Sequence, residues 1–126
     1  MKRTLLIILA FTSFITFAQQ DIATARTQVL GSTVTITGIV TNGDEMGIIR
    51  YIEDGTAGIA LYDLTTNNYL SNVLRGDSIS ITGELADYNG LLEVYVAGSP
   101  IIHSSNNPLP VPQSVTPAMI GEDTEA

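Results

Sequence analysis

The sequence predicts an all-β protein: a small, five-stranded Greek-key barrel with a short helix or irregular connection between strands 3 and 4. Three observations carry that reading. Apolar and polar residues alternate with a period of two in several short runs, as half-buried strands require. Two of those runs, GSTVTITGIV (31–40) and GDSISITGEL (76–85), echo each other apolar for apolar, with an identical Ile-Thr-Gly at 36–38 and 81–83. Turn signals of the Asn-Gly and Asp-Gly type then fall between the runs at hairpin spacing. A glycine inside a strand marks a bulge or sharp bend, and two bent strands describe a closed barrel better than a flat sheet with exposed edges.

The chain begins with a segment of a different kind. Met1-Lys2-Arg3 is a positive start, Leu5 to Phe17 is an uncharged stretch of 13 residues, and Thr16-Phe17-Ala18 places a small residue before Gln19. That is the pattern of a cleavable signal peptide over 1–18. A membrane-spanning helix needs about 20 apolar residues, and polar Gln19, Gln20 and Asp21 follow at once. The protein is therefore expected to be secreted or held at the cell surface, with no membrane contact after cleavage. Residues 19–30 form a lead-in.

Setting 1–18 aside sharpens the composition. The whole chain of 126 residues has 13 Asp and Glu against 5 Lys and Arg, a net charge of -8, and no Cys or Trp. Beyond residue 18 only Arg26, Arg50 and Arg75 face all 13 acids, and there is no lysine. Disulfides, Cys-based zinc and thiol catalysis are excluded, and binding of nucleic acid by phosphate neutralisation alone is disfavoured.

The barrel reads over 31–103. Val34, Ile36, Ile39 and Val40 alternate with threonines in the first strand, broken at Gly38. Asn42-Gly43 signals a hairpin turn. The second strand, GIIRYIED, runs into Asp54-Gly55-Thr56, and the third, AGIALYD, starts immediately. LTTNNYLSNVL (64–74) has Leu70, Val73 and Leu74 at helical spacing but too much Thr, Asn and Ser for more than a short, weak helix. The fourth strand alternates at Ile79 and Ile81, Asn89-Gly90 turns the chain, and Leu92, Val94 and Val96 alternate in the fifth.

With these elements in order, the words TGIVTNG (37–43), YIEDGTAGIALY (51–62), LRGDSISITGEL (74–85) and YNGLLEV (88–94) resemble the OB-fold. More narrowly they are similar to the OB-like modules of secreted Bacteroidota proteins, among them N-terminal parts of extracellular nuclease-like proteins and of surface proteins with type IX sorting tails. The resemblance implies a binding module. It does not choose a ligand, because OB-folds host nucleic acids, sugars, metals and proteins.

Residues 104–117, with prolines at 108, 110 and 112, read as a semi-rigid linker. The pattern of 118–126 reads as the start of a further module, so the sequence is expected to be the front piece of a longer chain.

Catalysis is not expected of this domain; any would reside downstream. His103, the sole histidine, lies beside Ser104 and Ser105 with no orienting group or oxyanion site in view. No cofactor is implied. Calcium is the one candidate ion, with Asp44, Glu45, Asp54 and Asp87 in or beside loops as its oxygen ligands. The binding residues rest on tyrosine, the only aromatic type beyond residue 18. Ile59 and Leu61 are assigned one face of the third strand and Ala60 and Tyr62 the other, while Leu91, Glu93 and Tyr95 point outward from the fifth. In the second strand one register turns Tyr51 outward and Arg50 inward, and the other does the reverse; alternation alone does not choose. The candidate ligand-binding set is therefore Tyr51, Arg50, Tyr62 and Tyr95, as a stacking surface for a base or sugar ring. Partners are expected to be adjacent modules of the same polypeptide, a glycan or a protein. Single-stranded nucleic acid is the alternative, with the domain as an accessory to an extracellular nuclease.

Overall fold

The computed structural model describes residues 18–64 and 68–117. The signal segment, apart from Ala18, and the segment 118–126 lie outside the described residues. The elements in chain order are α1 (Ile22–Arg26), β1 (Thr33–Val40), a 3₁₀ turn (Asp44–Met46), β2 (Ile49–Glu53), β3 (Gly58–Tyr62), β4 (Ser78–Tyr88), β5 (Leu91–Val96) and β6 (Ile101–Ser104).

The strands close into the expected OB-like barrel. Their order is β1-β2-β3-β5-β4, and β4 returns to pair with β1. Neighbours are antiparallel except β3 and β5, which run parallel with Leu61 opposite Val94. β6 prolongs the line of β5 along β4, pairing Ile79 with Ile102. Val34, Ile36, Val40, Ile52, Ile59, Leu61, Ile79, Ile81, Leu85, Val94 and Val96 fill the interior. All are branched or compact aliphatics, which suit a pleated wall closed on itself.

The sequence echo has a structural cause. The two segments are neighbours, paired antiparallel with Ile36 opposite Ile81, so that Val34 faces Gly83 and Gly38 faces Ile79. A local twofold thus relates them, and each glycine lies where a third strand crosses. A Cβ on Gly38 would stand 2.8 Å from the Glu53 carbonyl oxygen, and one on Gly83 would stand 2.3 Å from that of Tyr95. Close backbone approach, rather than torsional freedom, demands glycine at both sites.

The two ends of the barrel are closed differently. At one end Leu70 and Val73, from the β3–β4 connection, are buried. The described part of that connection holds turns and no helix; residues 65–67 lie outside the described residues. At the other end the lead-in contributes α1, which the sequence reading missed. Ile22 and Ala25 are fully buried, and Gln20 bridges β1 by donating to the Thr35 carbonyl at 3.0 Å. Five residues carry too little periodicity to announce a helix, and α1 exists because neighbouring loops cap it.

One further expectation is corrected. Asn42-Gly43 does not form a two-residue hairpin. The loop is longer and holds the 3₁₀ turn, while the buried Asn42 side chain donates to the Ile49 carbonyl and accepts from the Tyr51 amide at 2.7 Å. Asn89-Gly90 does form the tight turn, with φ of 54° and 93° as a type I′ turn requires. At the start of the proline-rich stretch, Asn107 donates to the Gly76 carbonyl from both its backbone and its side chain. Among the described residues no helix is long and apolar enough to cross a membrane.

Candidate functional site

Register assembles an aromatic patch on the outer face of β2, β3 and β5. Tyr51 pairs with Ala60, and Ala60 in turn pairs with Glu93, which is flanked on its far side by Ala86 of β4. The adjoining outer row runs Ile49, Tyr62, Tyr95 and Glu84. Glu93 therefore lies between two alanines, with tyrosines in and beside its row. Tyr62 and Tyr95 meet with ring centroids 5.8 Å apart and planes tilted by 50°, a favourable offset arrangement.

Glu93 is only 3 % exposed although it faces outward. The residues paired with it on either side, Ala60 and Ala86, are short, and the Tyr95 hydroxyl reaches its carboxylate. Burial pushes its carboxyl above the usual range; a hydrogen bond from the Tyr95 hydroxyl opposes this, and the negative charge of Asp87 adds to it. The Tyr95 hydroxyl is likewise pushed up, by its own desolvation first and then by the charge and hydrogen bond of Glu93. The patch thus combines ring faces, hydroxyls and a sheltered acceptor carboxylate.

The chosen register settles the Arg50 and Tyr51 alternative. Tyr51 is outward and half-buried, whereas Arg50 is 3 % exposed and belongs to the interior row. Its guanidinium donates to the carbonyls of Gly47 at 2.7 Å, Ile49 at 3.0 Å, Val73 at 3.3 Å and Leu70 at 3.5 Å. Arg50 therefore does not stand beside Tyr62 on the outer face. It ties the β1–β2 loop to the β3–β4 connection and borders a cavity of about 250 Å³ with Asp44, Asp63 and Ser71. Of the candidate ligand residues, Tyr51, Tyr62 and Tyr95 come together and Arg50 does not.

The four acids considered for calcium are separated. Asp44 and Glu45 sit in the 3₁₀ turn, and Glu45 is held below the carboxylate range by the Gly43 amide, which donates to it at 2.9 Å. Asp54 occupies the β2–β3 turn, and its carboxylate is already used: Ile22 N donates at 2.7 Å to one oxygen, and Thr56 N, Thr56 Oγ1 and Ala57 N donate to the other. Burial works to raise the Asp54 carboxyl, but these donors together bring it down. Asp87 accepts from the Gly90 amide in the β4–β5 turn. Among the described residues no group of three His, Cys, Asp or Glu side chains is placed to hold a metal ion. Acids that stabilise separate turns were read from sequence as one set because loops hide their relative positions.

His103 finds Ser80 rather than its chain neighbours. Its Nε2 and the Ser80 hydroxyl are 2.7 Å apart, and Ser80 also bonds Thr37. His103 is exposed, and among the described residues its side chain bonds Ser80 and no carboxylate.

Comparison with known proteins adds a fold neighbour and a partial relative. No family model matches the chain. The chain is 32% identical over 93 residues to the endonuclease YhcR of Bacillus subtilis (strain 168), covering 69% of this chain but 8% of the endonuclease. It spans under a tenth of that protein's length. Among solved structures, the hypothetical protein ygiW from E. coli superposes with a TM-score of 0.55 at 15% identity, covering 68% of this chain and 89% of that one. That likeness supports the barrel fold, and the fold alone.

Glu93 is the site residue that sequence reasoning missed as a site. The signal was present in its outward assignment between two apolar neighbours, but its burial depends on Ala60 and Ala86, which only strand pairing brings alongside.

Proposed function

We propose that the barrel is a noncatalytic binding module that holds a carbohydrate across the outer face of β2, β3 and β5. The observation that carries this reading is the tilted Tyr62–Tyr95 pair in the row adjoining the buried Glu93. Sugar rings present flat C–H faces to aromatic side chains and hydroxyls to acceptors, and a carboxylate acceptor gives a stronger hydrogen bond than a neutral one. OB-like barrels use the strand 2–3 face and its adjoining loops for ligands. The module is expected to serve within a larger exported protein, in keeping with a relative of which it spans 8%.

A second reading, single-stranded nucleic acid, is favoured by the similarity to an endonuclease. Stacking on tyrosines would suit it. The same face carries Glu53, Glu84 and Glu93, which repel a phosphate backbone.

Calorimetric titration of the purified protein with neutral oligosaccharides and with oligo-dT at low salt tests the choice. Binding of a neutral sugar that Tyr62→Ala abolishes without lowering the melting temperature supports the proposal. Binding of oligo-dT with silence from the sugars replaces it with the second reading.

A further inference from the structure

We propose that the tyrosine face selects a ligand carrying a positively charged ammonium group, with Glu93 as counter-charge and Tyr62 and Tyr95 as aromatic walls. This rests on the carbohydrate reading and narrows it to amino sugars. A buried carboxylate is costly unless a cation or several donors compensate it. Here the compensation within the chain is thin. Glu93 receives the Tyr95 hydroxyl, and the charge acting on it is another acid, Asp87.

The chain's own cations are engaged elsewhere. Arg26 donates to the Gly58 carbonyl at 2.8 Å, Arg50 is turned inward onto four carbonyls, and Arg75 acts on Glu45. No lysine exists beyond residue 18. The titratable groups that share the face of Glu93 on the surrounding strands are Tyr51 and Glu53 on β2, Tyr62 on β3, Tyr95 on β5, and Glu84 and Tyr88 on β4, while Asp87 acts on it by charge from the next position of β4. Every one is an acid or a phenol. An incoming ammonium would meet ring faces, hydroxyl oxygens and carboxylates, all attractive to it. A phosphate or uronate would meet the same groups with the opposite sign.

Ala60 and Ala86 add the geometry. A longer side chain at either position would fill the space beside Glu93 within its row, and their shortness leaves the Tyr95 hydroxyl as the neighbour that reaches the carboxylate. Rotation of an exposed or half-buried ring is fast and local, so a small cation needs no rearrangement of the barrel to reach it.

The test compares a glucosamine tetramer with an N-acetylglucosamine tetramer by calorimetry at about pH 6, where a free amine is protonated. The two sugars share ring faces and differ in charge. Binding of the glucosamine tetramer roughly tenfold or more tighter, with that preference lost in Glu93→Gln, supports the proposal. Equal binding, or preference for the acetylated sugar, overturns it while leaving the carbohydrate reading intact. Silence from both sugars overturns both. A preference that persists undiminished in Glu93→Gln also overturns it, since bulk acidity would then be the cause. If Glu93→Gln fails to fold, Tyr62→Leu keeps an apolar cover and removes the ring face, and it must lower the preference severalfold; an unchanged preference overturns the proposal.

Discussion

Arg50 and Tyr51 are adjacent in sequence and opposite in role, and the pairing of Arg50 with Leu61 and of Tyr51 with Ala60 decides which is which. An arginine in a barrel interior is tolerated because its planar fork reaches several carbonyls at once. Those of Leu70 and Val73 belong to the irregular connection, where the Leu70 carbonyl also accepts from the Val73 amide at 3.1 Å. Arg50→Met is therefore expected to lower stability by about 2–4 kcal/mol, measured by urea denaturation. Arg50→Lys should recover only part of that, because an ammonium cannot match the fork. Full recovery by lysine would show that charge alone, and not the pattern of donors, holds the connection down. Asn42 does a related task with a neutral side chain, fixing the ends of the β1–β2 loop against Ile49 and Tyr51.

Asp54 shows how an element can depend on a residue far away in sequence. The helix α1 is too short to persist by itself, and it is fastened by Asp21 accepting from the Thr24 amide and by Asp54 accepting from the Ile22 amide. Asp54→Ala removes that acceptor and the three donors' partner within the β2–β3 turn, so a loss of about 1–3 kcal/mol is expected. Amide exchange at Ile22 and Ala23 should rise more than exchange within β4. Folding lowers the pKa of Asp54, so the folded state binds its proton less tightly than the unfolded one. Its stabilisation is then present above the ordinary aspartate range and is lost as pH falls through the lowered value. The gap in stability between wild type and Asp54→Ala should consequently narrow as pH falls below the ordinary aspartate range; a constant gap would remove the carboxylate's charge from the explanation.

The bent strands make a second prediction at the level of elements. Gly83→Ala would push a Cβ into the Tyr95 carbonyl and the Val94 side chain, and Gly38→Ala into the Glu53 carbonyl with a longer starting distance. Both should destabilise, by about 1–3 kcal/mol or more, with Gly83→Ala the worse in thermal or urea melts. The reverse order would mean that β2 can retreat less readily than β5. The Ile-Thr-Gly repeat was legible as a pair of bends. That the two bends lie on one ladder, Gly38 opposite Ile79 and Gly83 opposite Val34, was not, because an echo in sequence says nothing about pairing.

At the scale of the whole molecule, acid dominates. A net charge of -8 on 126 residues stores self-repulsion that salt screens over a distance of about 10 Å at 0.1 M. Raising sodium chloride from low millimolar to physiological strength should increase the melting temperature by about 2–5 °C, followed by calorimetry. A fall instead would indicate that attractive pairs outweigh repulsion in the folded state. The same field disfavours polyanions over the whole surface, whereas the Glu93 patch acts within a few ångströms, so salt dependence and Glu93 dependence of binding are separable quantities.

Alternation and turn chemistry, by themselves, determined the five barrel strands, the bends at Gly38 and Gly83, the tight turn at Asn89-Gly90, and the outward faces of Tyr62, Glu93 and Tyr95. These are local properties, fixed by the two-residue period of a strand and by the few residues that accept a positive φ. Tertiary structure decided the rest: the inward turn of Arg50, the capture of α1 by Asp54, the dispersal of the four loop acids, the partner of His103, and the burial of Glu93 between Ala60 and Ala86. Each depends on which strands lie side by side and in what register, and a closed barrel fixes those only when its last strand meets its first.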